Sequence, residues 1–476
     1  MNWLFPLALA ALRLTEPASA QIASFQHIIL VVQENRTPDN LFQGLCTTST
    51  ACSTQPEPGR YNIQTTSWRD NTSPTGTTEP HANPLGLGYD MGHAHIAFVA
   101  MCDMKNGVCA MDGAAHVRCL AKAQPCPTKP GFGFVDPSQV QPYLDLVKAY
   151  GWANYMFQTN QGASFTAHQY LFGATSAPSA NDDHAGNFVV DSGKSPVGCA
   201  AIARASVPVI NAQGVVFTRI YPCFEHQTVA DLLDARGVSW RYYGVAGDIW
   251  PDATASGIWM APNAIAHICG AVGQSCTGAE WTSNVELTPS AILSDISTNC
   301  NLRGVSWVIP SAFNSDHSSN VRFTGGPSWV ASIVNAVGTS PCKNPDGSSY
   351  WNSTAIIVTW DDWGGWYDHE PPPARAYPHG GYELGFRVPL IVVSAYTPAG
   401  FVSNSEEDFG SVARFIERNF GIMEGALTFA DLRSTSDLTE FFSLGSSPRN
   451  FQPINAPLSA NHFLSAKPSS IPPDDD

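Results

Sequence analysis

The sequence predicts an α/β fold in which a mostly parallel central sheet carries helices on both faces. Two observations lead to this class: several short apolar runs are typical of strands buried on both faces, and helical patterns lie between them. Strands that alternate with helices indicate parallel pairing. The 476 residues are 43% hydrophobic and 13% charged, which provides for a large core and excludes a disordered chain.

The predicted elements alternate along most of the chain. Each helical pattern stops at or shortly before a glycine, which commonly terminates helices. The predicted strands are His27 to Val32, Trp240 to Tyr243, Val305 to Ile309, Ala355 to Thr359 and Val388 to Val393. The predicted helices are Thr228 to Ala235, Ser328 to Val337 and Phe409 to Phe420.

The remaining segments suggest one catalytic domain with flanking regions. We predict that the domain spans residues 21–445, with loop-rich, cysteine-bracketed insertions at about 46–88, 192–223 and 247–283, and that residues 446–476 form a Pro- and Ser-rich tail. Residues 1–20 read as a signal peptide, because an apolar run from Trp3 to Leu12 precedes Ala18-Ser19-Ala20. A buried N-terminal helix is the alternative. The prediction is a secreted or periplasmic protein.

The twelve cysteines also favour export. Their even number and the lack of any C-x-x-C pair indicate disulfides rather than a zinc site or a reactive thiol. Cys46 with Cys52, and Cys269 with Cys276, are close enough in sequence to close small loops. The pairing of the other eight stays open.

The charge of the chain limits its partners. A formal net charge of −16 argues against non-specific binding to nucleic acid or to anionic membranes, although a bound cation can reverse the local field. Beyond the N-terminus no apolar stretch approaches the roughly 20 residues that span a bilayer. The sequence carries no indication of oligomeric state.

Acidic residues follow two of the predicted strands directly. Glu34 and Asn35 come after the first strand, and Asp361 and Asp362 come after the run that ends at Trp360. Ligands of open parallel sheets bind beyond the carboxyl ends of the strands. One acidic residue there is usually a helix cap, but three carboxylates and an amide at two strand ends favour a divalent metal site.

Histidines and one serine complete the candidate site. His93 and His95 lie in a loop without helical or strand periodicity, and His317 and His369 each follow an aspartate. Ser164 follows a small-residue turn downstream of an apolar run, where a metal could activate its hydroxyl. Taken singly, each histidine has an equally good structural explanation, and a helix N-cap explains the serine better than catalysis does.

Several motifs resemble the phosphoesterase family that contains bacterial phospholipase C, acid phosphatase and plant non-specific phospholipase C. They occur in the family's order between about Phe25 and Gly421 and cover most of the chain. The motifs are Glu34-Asn35-Arg36, the Asp90 to His95 stretch with Met111-Asp112-Gly113, the segment Asp361 to Pro372 with its acidic pair, glycines and Asp368-His369, and Gly385-Phe386-Arg387-Val388-Pro389.

This resemblance implies an alkaline-phosphatase-like fold and assigns roles. Glu34, Asn35, Asp361 and Asp362 match metal-binding positions, and the identity of the divalent cation is not specified. Ser164 matches the nucleophile, although Ala163 replaces the usual proline and Thr166 is the alternative. His93 and His317 match active-site histidines, and Asn35 either ligates the metal or donates to the phosphoryl group. His168 stands where many members have an arginine, so no catalytic role is assigned to it.

The implied reaction is in-line displacement at phosphorus through a phosphoseryl intermediate. Its substrate is a phosphate ester or a phospholipid, and the sequence does not choose between phospholipase C and acid phosphatase activity. Two alternatives stay open: another hydrolase of the superfamily, such as a sulfatase-like enzyme, and a non-catalytic secreted binding protein. The chain has no C/S-x-P-x-R motif of the kind that sulfatases use.

Overall fold

The computed structural model describes residues 25–48, 51–192, 197–245, 257–373 and 383–467. The predicted signal peptide, the end of the predicted tail and parts of the predicted insertions lie outside these residues. The domain boundaries therefore stay predictions. Among the described residues, no helix is both long and apolar enough to cross a bilayer.

The centre of the fold is an eight-stranded sheet. Its strands in chain order are β1 His27–Gln33, β2 Gly151–Phe157, β3 Trp240–Tyr243, β4 Val285–Glu286, β5 Val305–Val308, β6 Thr354–Trp360, β7 Leu390–Ser394 and β8 Phe401–Asp408. Their order across the sheet is β4-β3-β5-β1-β6-β7-β2-β8. Only β7 runs antiparallel to its neighbours in this sheet, so the predicted mostly parallel sheet is confirmed.

Helices cover both faces of the sheet. The helices of at least six residues are α1 His95–Cys102, α2 Gln141–Ala149, α3 Ser164–Gly173, α4 Ala180–Ala185, α5 Val229–Ala235, α6 Ala279–Asn284, α7 Ala291–Ser297, α8 Gly326–Thr339, α9 Phe409–Asn419 and α10 Ala460–Ser465. Shorter helices are Pro38–Leu41, Ala266–Cys269, Tyr350–Ser353 and Ala430–Arg433.

Side-chain alternation along the strands shows which helix lies on which face. Gln33 of β1 donates to the hydroxyl of Tyr143 in α2, whereas Trp307 of β5, which pairs with Leu30, donates its indole N–H to the carbonyl of Leu171 in α3. Leu30 and Gln33 have opposite parity along β1, so their side chains point to opposite faces. α2 and α3 therefore lie on opposite sides of the sheet.

All five predicted strands and all three predicted helices are present, with shifts of a few residues at their ends. Three strands were not predicted. β2 coincides with the apolar run that precedes Ser164 in the sequence, β4 has two residues, and β8 reads as polar because it is an edge strand with partly exposed side chains.

Further short strands belong to small sheets outside the central one. They are Trp68–Arg69, Thr77–Thr78, His81–Asn83, Tyr89–Met91, Met104–Lys105, Val108–Cys109, Cys119–Ala121, Gly133–Val135, Phe188–Val189, Val207–Ile210, Val216–Ile220, Ala271–Val272 and Ser275–Cys276. Many of them fall in residues 68–134, which share a second apolar core with residues 363–367 and 386; this core includes Trp68, Phe98, Trp363 and Phe386. This core packs the loop that carries His93 against the loop that follows β6.

All twelve cysteines form disulfides. The two predicted small loops, Cys46–Cys52 and Cys269–Cys276, are confirmed. The other pairs are Cys102–Cys109, Cys119–Cys126, Cys199–Cys223 and Cys300–Cys342.

Candidate active site

The two acidic strand ends meet at one edge of the sheet. β1 and β6 are parallel neighbours, and Gln33 pairs with Trp360, so the residues that follow them emerge side by side. The backbone N–H of Asn35 donates to Oδ1 of Asp361 at 3.0 Å. Glu34, Asn35, Asp361 and Asp362 are all buried. The structure brings together the four residues to which the sequence assigned a metal.

Each aspartate uses one oxygen for the backbone and keeps the other for the site. Oδ1 of Asp361 accepts from the backbone N–H groups of Asn35 and Asp362, and Oδ1 of Asp362 accepts from the N–H of Gly364 at 2.6 Å. Oδ2 of Asp362 lies 3.1 Å from Oγ of Ser164. Oδ2 of Asp361 accepts no hydrogen bond from the described residues. Both carboxylates are thus held in fixed orientations.

Two unusual backbone conformations fix the same region. Asn35 has φ 62°, a left-handed conformation that asparagine tolerates better than most residues. Gly364 has φ 62° as well, and a Cβ there would lie 2.3 Å from the carbonyl oxygen of Asn35. The glycine is required because the loop after β6 crosses directly over the loop after β1.

Ser164 is the first residue of α3 and points at the strand ends. Its hydroxyl donates to Oδ2 of Asp362 at 3.1 Å and lies 3.4 Å from Oδ1 of Asn35. The hydroxyl of Thr166, the alternative nucleophile, instead donates to the carbonyl of Ala163 at 2.8 Å and accepts from Asn160. The geometry favours Ser164 over Thr166, and the N-terminus of α3 adds a positive potential suited to an anion.

His168 is a site residue that the sequence left without a role. Its Nε2 lies 3.1 Å from Oε1 of Glu34 and 3.8 Å from Oδ2 of Asp361. One ligand atom from each of these three residues lies within 4.8 Å of the others. The signal available in the sequence was spacing: His168 follows Ser164 by four residues, which places both on one face of a helix.

His93 and His317 face each other across the site, with ring centroids 6.0 Å apart. Nδ1 of His93 lies 2.8 Å from the carbonyl of Met91, so it carries the proton, and Nε2 accepts from the side-chain amide of Asn35 at 3.2 Å. Nδ1 of His317 accepts from the N–H of Ser319 at 3.2 Å. The neutral His317 ring therefore carries its proton on Nε2, which is 3.9 Å from Oδ2 of Asp90.

A buried cluster of hydrogen-bonded side chains surrounds Asp316, the residue that precedes His317. Asp316, at φ 74°, accepts hydrogen bonds on Oδ2 from Tyr143 at 2.7 Å and from the indole of Trp360 at 3.2 Å. Burial raises the pKa of Asp316 to about 6 despite these hydrogen bonds. Arg36 donates twice to the carbonyl of Asp316, and burial lowers the pKa of its guanidinium to about 10. The hydrogen bonds of this cluster fix the turn that orients His317 toward the site.

His95 and His369 lie apart from the metal-ligand candidates around Glu34 and Asp361, and His369 instead forms a second buried group with Asp39 and Asp368. Nδ1 of His95 lies 2.9 Å from the carbonyl of Gln161, beside the site rather than in it. His369 contacts Asp39 at 2.8 Å in a separate buried network, in which Arg387 pairs with Asp368. Burial raises the pKa of Asp368 to about 6. The motif residues Asp368, His369 and Arg387 therefore support the loops around the site.

The donor set suits a divalent cation. Three buried carboxylates, an amide and an imidazole converge, and carboxylate oxygens are the ligands that hard divalent cations prefer. An inward carboxylate oxygen that accepts no hydrogen bond from the described residues, Oδ2 of Asp361, is costly to bury unless a cation or water compensates it. The residues present fit a metal site.

Comparisons with known proteins agree with the motifs. The model of the phosphoesterase family matches residues 25–423. The chain belongs to the phosphoesterase family. The non-hemolytic phospholipase C of Pseudomonas aeruginosa is 27% identical over 254 residues, which cover 47% of this chain and 34% of that protein. Phospholipase C B of Mycobacterium tuberculosis is 23% identical over 476 residues, 92% of this chain and 81% of that protein.

A solved structure is also similar to this chain. It is a Vibrio parahaemolyticus protein described as a member of the alkaline phosphatase superfamily, with 12% identity and a TM-score of 0.32 over 60% of this chain and 61% of that one. Membership of the phosphoesterase family rests on the family match.

Proposed function

We propose that this chain is a secreted phosphoesterase that hydrolyses phosphate esters by transferring the phosphoryl group to Ser164. Glu34, Asn35, Asp361 and Asp362 hold a divalent cation in this proposal, and His168 completes the donor set. The family match and relatives named phospholipase C support hydrolysis of a phosphoric ester. Six disulfides support export.

The position of Ser164 carries this proposal. Its hydroxyl lies within hydrogen-bonding distance of Asp362 and close to Asn35, at the positive end of a ten-residue helix, and His168 on the same helix face contacts Glu34. The N-cap of this helix is Ala163, so Ser164 does not occupy the capping position, and its hydroxyl contacts side chains from two strand ends.

Different side chains would serve different steps of the proposed reaction. Oγ of Ser164 gives up its proton and forms a bond to phosphorus while the bond to the leaving oxygen breaks and that oxygen takes up a proton. Water then gives up a proton, displaces Ser164 from phosphorus and releases phosphate or a phosphomonoester, and the serine oxygen is protonated again. A bound divalent cation would stabilise the serine alkoxide and offset the phosphoryl charge. Nε2–H of His317 can donate to a phosphoryl oxygen or to the leaving group, and Asn35 holds His93 in place.

A substrate panel tests the proposal and separates the substrate classes. Wild-type protein loaded with Mg²⁺, Mn²⁺, Ca²⁺ or Zn²⁺ is assayed with an aryl phosphate, a bis-aryl phosphate and phosphatidylcholine. Ser164→Ala should lower the rate on every accepted substrate by about a thousandfold or more, whereas Thr166→Val, the matched control, should cost less than about tenfold. If the wild-type protein hydrolyses none of the three esters with any of these metals, the proposal is wrong.

A further inference from the structure

A group of metal-ligating side chains that the proposed reaction does not use joins α5 to the segment around the Cys269–Cys276 disulfide. It contains Asp231 of α5, His267 of the short helix Ala266–Cys269 and Glu280 of α6. One ligand atom from each of the three residues lies within 4.8 Å of the others. Three different elements thus bring an imidazole and two carboxylates together.

The carboxylate of Asp231 is held by the first turn of its own helix. Its Oδ2 accepts from the backbone N–H and from the hydroxyl of Thr228, both at 2.7 Å, in a capping box. The other oxygen, Oδ1, lies 3.1 Å from Nε2 of His267. The capping contacts therefore leave Oδ1 in a fixed position beside the imidazole.

His267 is oriented from its other side by a further carboxylate. Its Nδ1 lies 2.7 Å from Oε1 of Glu225. Backbone hydrogen bonds from Phe224 to Ala264 at 2.7 Å and from Ala266 to Phe224 at 2.8 Å hold the two segments side by side. A carboxylate that binds one ring nitrogen leaves the other nitrogen for a metal, and histidine ligands are commonly oriented in this way.

Glu280 contributes an oxygen that has no donor among the described residues. Its Oε2 is buried and accepts no hydrogen bond from them. Burial and the charges of Asp231 and Asp234 raise the pKa of Glu280, which indicates that negative charge dominates its surroundings. A buried carboxylate oxygen without a donor is costly unless a cation or water compensates it.

A disulfide and close backbone contacts hold His267 and Glu280 near each other. Cys269 is bonded to Cys276, and its carbonyl accepts from the N–H groups of Thr277 and Gly278 at 2.8 and 2.9 Å. A Cβ at position 278 would lie 2.3 Å from a carbonyl oxygen of the short helix, so the glycine permits this close approach. The start of α6 therefore packs directly on the helix that carries the imidazole, which limits the reorganisation that metal binding requires.

A zinc ion suits this group better than a proton does. A protonated imidazole can donate to Glu225 and Asp231, but it offsets a single carboxylate charge and gives Oε2 of Glu280 no donor. Zinc binds histidine nitrogen and carboxylate oxygen at about 2.0–2.2 Å, which places two tetrahedral ligands roughly 3.3 Å apart. The 3.1 Å between Nε2 of His267 and Oδ1 of Asp231 is close to this spacing. Calcium instead takes about six to eight oxygen ligands.

We propose that Asp231, His267 and Glu280 bind one Zn²⁺ ion and that Glu225 orients His267 for it. The ion joins α5 to the disulfide-closed segment before α6 and leaves a fourth coordination position for water. It stabilises the folded chain by mass action and takes no part in phosphoryl transfer. The proposal therefore does not depend on the proposed function.

Zinc counted at dialysis equilibrium tests this site. Dialysis is used because a partly exposed site with three protein ligands is expected to lose its ion during gel filtration. Protein stripped with EDTA is dialysed against Zn²⁺, and bound zinc is measured by plasma mass spectrometry. His267→Gln should bind one zinc ion per chain fewer than wild type, whether or not the candidate active site also holds metal. His462→Gln is the matched control, because His462 is exposed on α10, and it should bind as much zinc as wild type.

Thermal unfolding and a second variant complete the test. At about 100 times the Kd, Zn²⁺ should raise the unfolding temperature of wild type by about 3 °C more than that of His267→Gln. In EDTA the two proteins should unfold within about 2 °C of each other, which shows that the variant folds. Glu225→Gln should keep the zinc count but weaken zinc affinity by about tenfold or more, and unchanged affinity would overturn its orienting role. Equal zinc content in wild type and His267→Gln, or the same loss in His462→Gln, would overturn the site.

Discussion

At the scale of single residues, the candidate site depends on side chains in which one oxygen or nitrogen bonds to the backbone and the other faces the site. One oxygen of Asp361 and one of Asp362 accept backbone N–H groups, which leaves the second oxygen of each oriented toward Ser164 and His168. His317 similarly accepts a backbone N–H on Nδ1. This division orients the groups before substrate or metal arrives, which lowers the cost of reorganisation during catalysis.

Asp361→Asn tests the metal site with little change in shape. The amide loses the negative charge, so bound divalent metal, measured by plasma mass spectrometry after gel filtration, should fall to background, and activity should fall with it. Asp295→Asn is the control: Asp295 is also buried, but it pairs with Arg241. Wild-type metal content in the Asp361 variant would remove this residue from the ligand set.

His168→Ala tests the residue that the sequence left without a role. If His168 is a ligand, the affinity for divalent metal should fall by about tenfold or more, and excess metal should partly restore activity. His226→Ala is the control, since His226 is buried near Gly173 at the other end of α3. Unchanged metal affinity would show that His168 does not bind the metal and only orients Glu34.

At the scale of elements, the sequence predicted the site well where chemistry follows a strand directly. Glu34 and Asp361 could be placed because carboxyl ends of parallel strands share an edge. His168 could not be connected to Glu34, because its place depends on how α3 packs against the sheet. The sequence leaves His369 evenly divided between a functional and a structural role, and only tertiary packing reveals its contact with Asp39 beside the buried Arg387–Asp368 pair.

Gly364→Ala tests whether the crossing of the two strand-end loops determines activity. Its Cβ would clash with the carbonyl of Asn35, so activity and metal binding should be lost. Gly400→Ala is the matched control: Gly400 has φ 63°, and its Cβ would meet only the carbonyl of Lys148 at 3.7 Å. Both variants carry a backbone strain of about 1 kcal/mol, so equal activity in both would show that the crossing is dispensable.

At the scale of the whole molecule, buried carboxyl groups make stability depend on pH. Burial, reinforced by Asp431, raises the pKa of Glu417 to about 9, and burial raises the pKa of Glu407 to about 8. The folded state keeps protons that the unfolded chain releases above its ordinary pKa of 4.5. The free energy of unfolding therefore falls as pH rises from about 5 to about 9.

Calorimetry at pH 5.5 and pH 8.5 tests this dependence. The unfolding temperature should be lower at pH 8.5, and Glu417→Gln, which cannot ionise, should reduce the difference. Glu79→Gln is the control, because Glu79 is exposed and its substitution should leave the pH dependence in place. An unfolding temperature that rises with pH would contradict the assigned direction of the pKa shifts.

The most direct test of the central claim is to trap the phosphoryl group on the protein. Wild-type enzyme with an aryl phosphate is quenched in acid within milliseconds, and the peptides are analysed by mass spectrometry. We predict a phosphate on Ser164 in wild type, and none on that peptide in Ser164→Ala. Phosphate on Thr166, or on the same peptide of the alanine variant, would contradict the assignment of Ser164 as the nucleophile.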